Sequence, residues 1–222
     1  MTYLSTQDLH LLPSISSLKK LMKSLAVLDL IISPDWEDRY YLYNSQWSKD
    51  EELGSMNNGC GDELFVHFTK NGCFIKGMAH ESQLSSWSYD GKELWINVLK
   101  QVPLEFNESL NEPAFSMTDI SFCIWRKNTD SKWTSAKFSL ESVDLDDDID
   151  GSDYLLECLD GNPKSYQKHV ENYFEVDLPL RLIQYVYDHK ELTNEIVQQI
   201  NPDITLEELK EDLKEINYHL LQ

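Results

Sequence analysis

Carboxylates crowd one short stretch of the sequence, Asp146-Asp147-Asp148-Ile149-Asp150-Gly151, with Glu157 closing it. Acids at the first, third, fifth and twelfth positions and a glycine at the sixth are the arrangement with which a calcium loop wraps its ion. Hard oxygens converge, the glycine takes the sharp turn, and the last carboxylate binds with both oxygens. Asp146, Asp148, Asp150 and Glu157 are the residues that would hold such a cation. Two features oppose it. Residues 136–145 read as a strand running into a loop, not as an entering helix, and Asp153 stands where a calcium loop packs an apolar side chain. The expectation is that no metal is held and that the stretch is a solvated acidic loop leading into a helix, whose positive end favours nearby acids.

A second group of chemically able side chains runs from Cys60 to Glu81: Cys60, Asp62, Glu63, His67, Cys73, His80 and Glu81. Zinc accepts cysteine and histidine, but no CxxC or HxxxH spacing is present. An enzyme reading would use the His80-Glu81-Ser82 stretch with Asp62 or Glu63 for acid–base work, and Cys60, exposed between Gly59 and Gly61, as nucleophile. The chain has no GxSxG elbow, no phosphate-binding loop, no GxGxxG and no HExxH. The glycines around Cys60 serve equally as a tight turn before a strand. The expectation is a protein without a catalytic centre and without a cofactor.

The charge balance carries more weight. The 222 residues hold 39 acids against 19 Lys and Arg, a formal net charge of −20. Residues 1–140 contribute 18 acids and 13 bases, and residues 141–222 contribute 21 acids and 6 bases. Such a field repels nucleic acid and anionic lipid and favours a basic protein partner. Asp144, Asp146, Asp147, Asp148, Asp150, Glu207, Glu208, Glu211, Asp212 and Glu215 are expected to form that binding surface, exposed and largely unpaired. Lys19, Lys20 and Lys23 read as an ordinary solvated helix face. Four scattered cysteines and the absence of a basic leader lead to the expectation of reduced thiols and a cytoplasmic protein. No apolar run reaches the roughly 18 residues that span a bilayer.

The elements that must carry these groups follow from periodicity. Leu18, Leu21, Met22, Leu25 and Leu28 recur at helical spacing and predict a first helix over residues 14–30. Residues 39–140 read as an antiparallel sheet of about five strands, at 39–47, 63–70, 73–78, 119–126 and 132–140. Asn71-Gly72 predicts a two-residue hairpin turn that sets Phe68 opposite Ile75, Val66 opposite Gly77 and His67 opposite Lys76. Ile120, Phe122 and Ile124 alternate with Cys123 and Trp125, so that strand is expected to be covered on both faces. Two short helices are expected between residues 82 and 113. Helices fill the last third, one with an inner face of Tyr166, Val170, Tyr173 and Phe174, and a final one opened by Thr205 and Glu208. The fold class is α+β, one domain with helices packed on the sheet.

Several stretches, taken in order, also resemble an uncharacterised family of acidic bacterial proteins: Gly61-Asp62-Glu63, Ile75-Lys76-Gly77, His80-Glu81-Ser82, Asn111-Glu112-Pro113, Trp125-Arg126, Asp150-Gly151-Ser152 and Asp188-His189. In size and acidity the chain is similar to immunity proteins of bacterial toxin systems, including the SMI1/KNR4-like group. That resemblance implies a non-catalytic protein that neutralises a basic toxin. The alternatives from other classes are a calcium-responsive protein using the loop from Asp146 to Glu157, and an enzyme centred on residues 60–81.

Overall fold

The computed structural model describes residues 3–88, 91–138 and 149–218. Six strands form one antiparallel sheet in which spatial order follows chain order: β1 (Tyr41–Ser48), β2 (Glu51–Asn57), β3 (Glu63–Thr69), β4 (Gly72–Met78), β5 (Phe122–Lys127) and β6 (Thr134–Ser135). Among the described residues no helix is long and apolar enough to cross a membrane.

The alternation read in β5 divides the core. Phe122 and Ile124 join Cys73 and Ile75 on one face of the sheet, whereas Cys123 and Trp125 join Phe74 on the other. The second face is covered by the segment containing α2 (Gly91–Val98) and α3 (Asn107–Leu110), through Trp95, Val98, Val102 and Phe106. The first face receives α1 (Ile15–Ile32), capped by the Ser14 hydroxyl, which accepts the Ser17 amide at 3.2 Å. Leu18, Met22, Leu25 and Leu28 are wholly buried there, each contributing about 1.5–3 kcal/mol by leaving water.

From Ser24 to Ile31 every side chain of α1 is buried, the polar ones included. The cause is a third layer. After α4 (Ser152–Leu155), the helices α5 (Pro163–Tyr173), α6 (Leu180–Tyr187), α7 (Asn194–Ile200) and α8 (Lys210–Ile216) follow, and α6, α7 and α8 pack on the outer side of α1. Much of the helical third thus reaches the sheet through α1, while α8 also packs on β1 and His169 of α5 lies 5.7 Å from the Tyr41 ring of β1. Its last helix starts at Lys210 and not at Thr205. The Glu208 carboxylate still accepts the Thr205 amide at 2.8 Å, but the residues between form turns.

Two strand expectations are corrected. Strand β2 was not anticipated, and the strand expected over 132–140 is a two-residue pairing at Thr134–Ser135, with residues 139 and 140 outside the described residues. The hairpin register also differs. Phe68 lies opposite Cys73, His67 opposite Phe74 and Val66 opposite Ile75, so the turn residues are Lys70 and Asn71. Gly72 belongs to β4 instead, where β5 passes so close that a Cβ on it would sit 2.2 Å from the Arg126 carbonyl oxygen. The glycine serves the sheet and not the turn. Gly72→Val should therefore lower stability by about 1–3 kcal/mol in urea titration, as an overpacked site does. Unchanged stability would show that β5 is free to shift.

Candidate functional site

The acids at the last helix and in the turn before it do not stand as the sequence suggested. Glu207, Glu208, Glu211 and Glu215 are exposed, but Glu207 pairs with Lys210, Glu211 with Lys214 at 2.6 Å, and Asp212 with Arg39 at 3.4 Å. Glu208 is engaged by Thr205. Glu215 alone of the five has a carboxylate without a partner among the described residues. The expectation of a largely unpaired acidic helix is therefore corrected: lysines one turn on, and one arginine from before β1, screen it.

The acidic loop divides in the same way. Asp144, Asp146, Asp147 and Asp148 lie outside the described residues. Asp150 is buried, not on the surface. Its carboxylate accepts the Thr6 hydroxyl and, at 3.0 Å, the Ser152 amide, while its carbonyl oxygen accepts the Ser121 hydroxyl at 2.8 Å. The Thr6 amide in turn donates to the Ser152 hydroxyl at 2.9 Å. Asp150 and Ser152 thus latch the N-terminal segment to the start of β5. Glu157 turns to Lys168 at 3.0 Å. Both would-be calcium ligands have protein partners of their own.

Residues 60–81 are spread over both faces of the sheet. Cys73 is buried in the core beneath α1, where loss of water pushes its thiol well above the usual range. His67 is buried on the other face, 2.9 Å from the Ser109 hydroxyl and 3.4 Å from Glu51, with burial lowering its pKa. Asp62 is a clamp. Its carboxylate accepts the Asn58 side chain at 2.7 Å and the His80 amide at 3.0 Å, and meets the His80 ring at 2.8 Å. Cys60 is exposed, and its thiol has no hydrogen bond among the described residues. Glu63 pairs with the buried Lys76, and Glu81 points to solvent. Among the described residues no three His, Cys, Asp or Glu side chains gather where they could hold a metal.

A groove of about 750 Å³ gathers acids and aromatics more effectively. One wall is the 3-10 turn Trp36–Asp38 that follows α1, and the other is the end of α5, with Tyr173 and Phe174. Pro34 stops α1 and sends the chain outward, so Trp36 is left 67% exposed. Tyr173, expected on the inner face of its helix, is 41% exposed. Its ring is nonetheless fixed, packed edge-on to Tyr40 at 4.7 Å and stacked on His169 at 5.4 Å. His169 is pulled down to a pKa of about 4 by burial, so this wall carries no positive charge at neutral pH.

Asp35, Glu37 and Asp38 are exposed beside Trp36, and none makes an ion pair or side-chain hydrogen bond among the described residues. Glu171 and Glu175, flanking Tyr173, are exposed and likewise unpaired. The one cation lining the groove among the described residues, Arg39, is buried and already spent on the Ser33 and Pro34 carbonyl oxygens and on Asp212. Neither residues 35–38 nor residues 171–175 were singled out as a site from the sequence, because two acids and a tryptophan at a helix stop look like any polar turn. No protein-family model, no curated protein and no solved structure matches this chain.

Proposed function

We propose that this protein is a non-catalytic binding module that docks a basic protein segment in the groove between Trp36 and Tyr173. In its narrower form the partner is a cationic toxin that the protein neutralises. The observation that supports it is the pairing of two exposed aromatics, Tyr173 held by Tyr40 and His169 and Trp36 open to solvent, with carboxylates that have no cation of their own among the described residues. Aromatic rings are the usual energetic centres of interfaces, and their faces also attract Lys and Arg. The surrounding acids steer a basic partner and speed its arrival at low salt. The acids of α8, two of the three already paired, add to the overall field and less to contact.

The test is a pull-down with a basic partner from the native host, followed by surface-plasmon kinetics on variants. Trp36→Ala and Tyr173→Ala should each weaken the complex by at least about tenfold, mostly by faster dissociation. Glu37→Lys with Asp38→Lys should slow association and flatten its salt dependence. Charge reversal at Glu207 and Glu211 should have the smaller effect. A complex that ignores the groove variants but is lost on reversing α8 would move the interface to the last helix. Failure to recover any basic partner would end this reading.

A further inference from the structure

At the opposite end of α1 the charge reverses. A cleft of about 710 Å³ lies between the first turns of α1 and the turns at the ends of β3 and β5. Lys19, Lys20 and Lys23 line one side and Lys70 and Arg126 the other, with no Asp or Glu among the lining residues. In a chain with 39 acids and 19 Lys and Arg, five cations lining one cavity with a single carboxylate, Glu52, behind them is a concentration that solubility does not require.

The cleft is built and not incidental. The Asn128 side chain donates to the Lys70 carbonyl oxygen at 2.9 Å, and its amide to the Asn71 carbonyl oxygen at 2.9 Å, so the two turns carrying Lys70 and Arg126 are tied together. The Arg126 Nε donates to the Asp130 carbonyl oxygen at 3.1 Å and its guanidinium lies 5.9 Å from the Trp133 ring, with no ion pair to a carboxylate among the described residues. Lys19 and Lys23 share the single Glu52 carboxylate, at 2.8 and 3.2 Å, which leaves the two ammonium groups half neutralised. Lys20 and Lys70 make no ion pair among the described residues.

The cations also sit at the wrong end of their helix. The first turn of α1 contains no acid, and its lysines follow immediately, although an amino terminus carries partial positive charge and free amide groups. Like charges placed together at a positive helix end oppose one another, and an anion relieves all of them at once. A long polyanion fits poorly, because beyond a screening length of about 8 Å it would run into the field of the acidic remainder. The volume instead lies within the range of about 300–1,000 Å³ typical of small-molecule sites.

We propose that this cleft binds a compact small molecule bearing two or more phosphate groups, held by Lys20, Lys70 and Arg126 with Lys19 and Lys23 behind them. Isothermal titration of the full chain with inorganic tripolyphosphate, orthophosphate, ATP and a short single-stranded DNA tests it. Tripolyphosphate should bind at least about tenfold more tightly than orthophosphate, with an affinity that falls as salt rises. ATP binding as well as tripolyphosphate places recognition in the phosphates alone, and tighter binding adds the nucleoside; both support the site. Lys20→Gln with Lys70→Gln, both exposed residues, should leave the circular dichroism spectrum unchanged and weaken tripolyphosphate by at least about tenfold. Lys132→Gln with Lys100→Gln, the same charge change elsewhere, should leave it within about twofold. Arg126→Gln should weaken it as well. Trp36→Ala should leave the titration unchanged, which separates this site from the groove. No binding at about 10 mM, equal loss in the control variant, or tighter binding of the DNA would overturn the proposal.

Discussion

Replacing Asp29 by Asn should stabilise the protein at neutral pH relative to wild type, by an amount that grows from nothing near pH 4 to about 4 kcal/mol near pH 7. Asp29 lies on α1 with no exposure, in the layer between sheet and helices. Its carboxylate accepts the Tyr41 amide at 2.6 Å and the Tyr166 hydroxyl. Burial raises its pKa from 3.8 to about 7, against the hydrogen bonds of Tyr166 and Tyr41 and the charge of Arg39, which pull the other way. The folded chain therefore holds a proton that the unfolded chain releases across this window. Stability contributed by the group is fully present below the unfolded pKa and is lost as pH rises through the folded one. Asparagine mimics the protonated acid, accepting from Tyr41 and donating to the Tyr166 oxygen. His169 works in the opposite sense, because its depressed pKa makes stability rise with pH between about 4 and 6.5. Only the difference between variant and wild type isolates Asp29, and urea titrations at matched pH values read it. Asp29→Ala leaves the Tyr41 amide and the Tyr166 hydroxyl without an acceptor and should cost about 1–3 kcal/mol for each. A difference between Asn and Asp that does not change with pH would mean that water reaches the carboxylate.

The same residue illustrates what sequence can and cannot convey. Read along the chain, Asp29 only interrupts an apolar run. Its burial follows from the third layer of helices, which no local period announces. The helical stripe of α1 and the two-faced apolar character of β5 were legible because each is a local property. Strand β2 was hidden because Glu51, Glu52 and Gly54 lower strand preference. Gly54 is nevertheless apt there, since a Cβ on it would meet the Met22 side chain of α1 at 2.6 Å. The hairpin slipped for a related reason: the Asn71-Gly72 pair carries a turn signal, but contact with β5 decides what Gly72 does. The i, i+3 pairs Glu207–Lys210 and Glu211–Lys214 could have been read from spacing alone. Arg39–Asp212 could not, nor could the meeting of Lys19, Lys20 and Lys23 with Lys70 and Arg126, whose positions are too distant to make a motif.

Removing the Glu63 carboxylate should be among the most damaging single changes in the protein, costing about 3–5 kcal/mol as Glu63→Ala. Lys76 lies in the middle of β4 with its side chain wholly buried, between Phe65 on β3 and Cys123 on β5. Its ammonium pairs with Glu63, which is itself a quarter exposed, and sits 5.4 Å from the Phe65 ring. Burial lowers the pKa of Lys76, and Glu63 draws it back up. The pair is therefore poised between a large desolvation cost and a large attraction, and taking away one partner leaves the cost uncompensated. Replacing both, with Lys76→Met and Glu63→Gln, removes the cost too, and should restore wild-type stability or exceed it by about 1–4 kcal/mol. The pH dependence fixes the interpretation. In Glu63→Ala the lysine loses its counter-charge and its pKa falls further, so the deficit is greatest where Lys76 is charged and shrinks as pH rises through its folded pKa. A loss under about 1 kcal/mol in the single variant would show a hydrated ammonium. A double variant no better than the single one would show that Glu63 acts by shaping the start of β3. There Asp62, its neighbour in sequence, clamps His80 and the Asn57–Gly61 turn that borders the acidic groove.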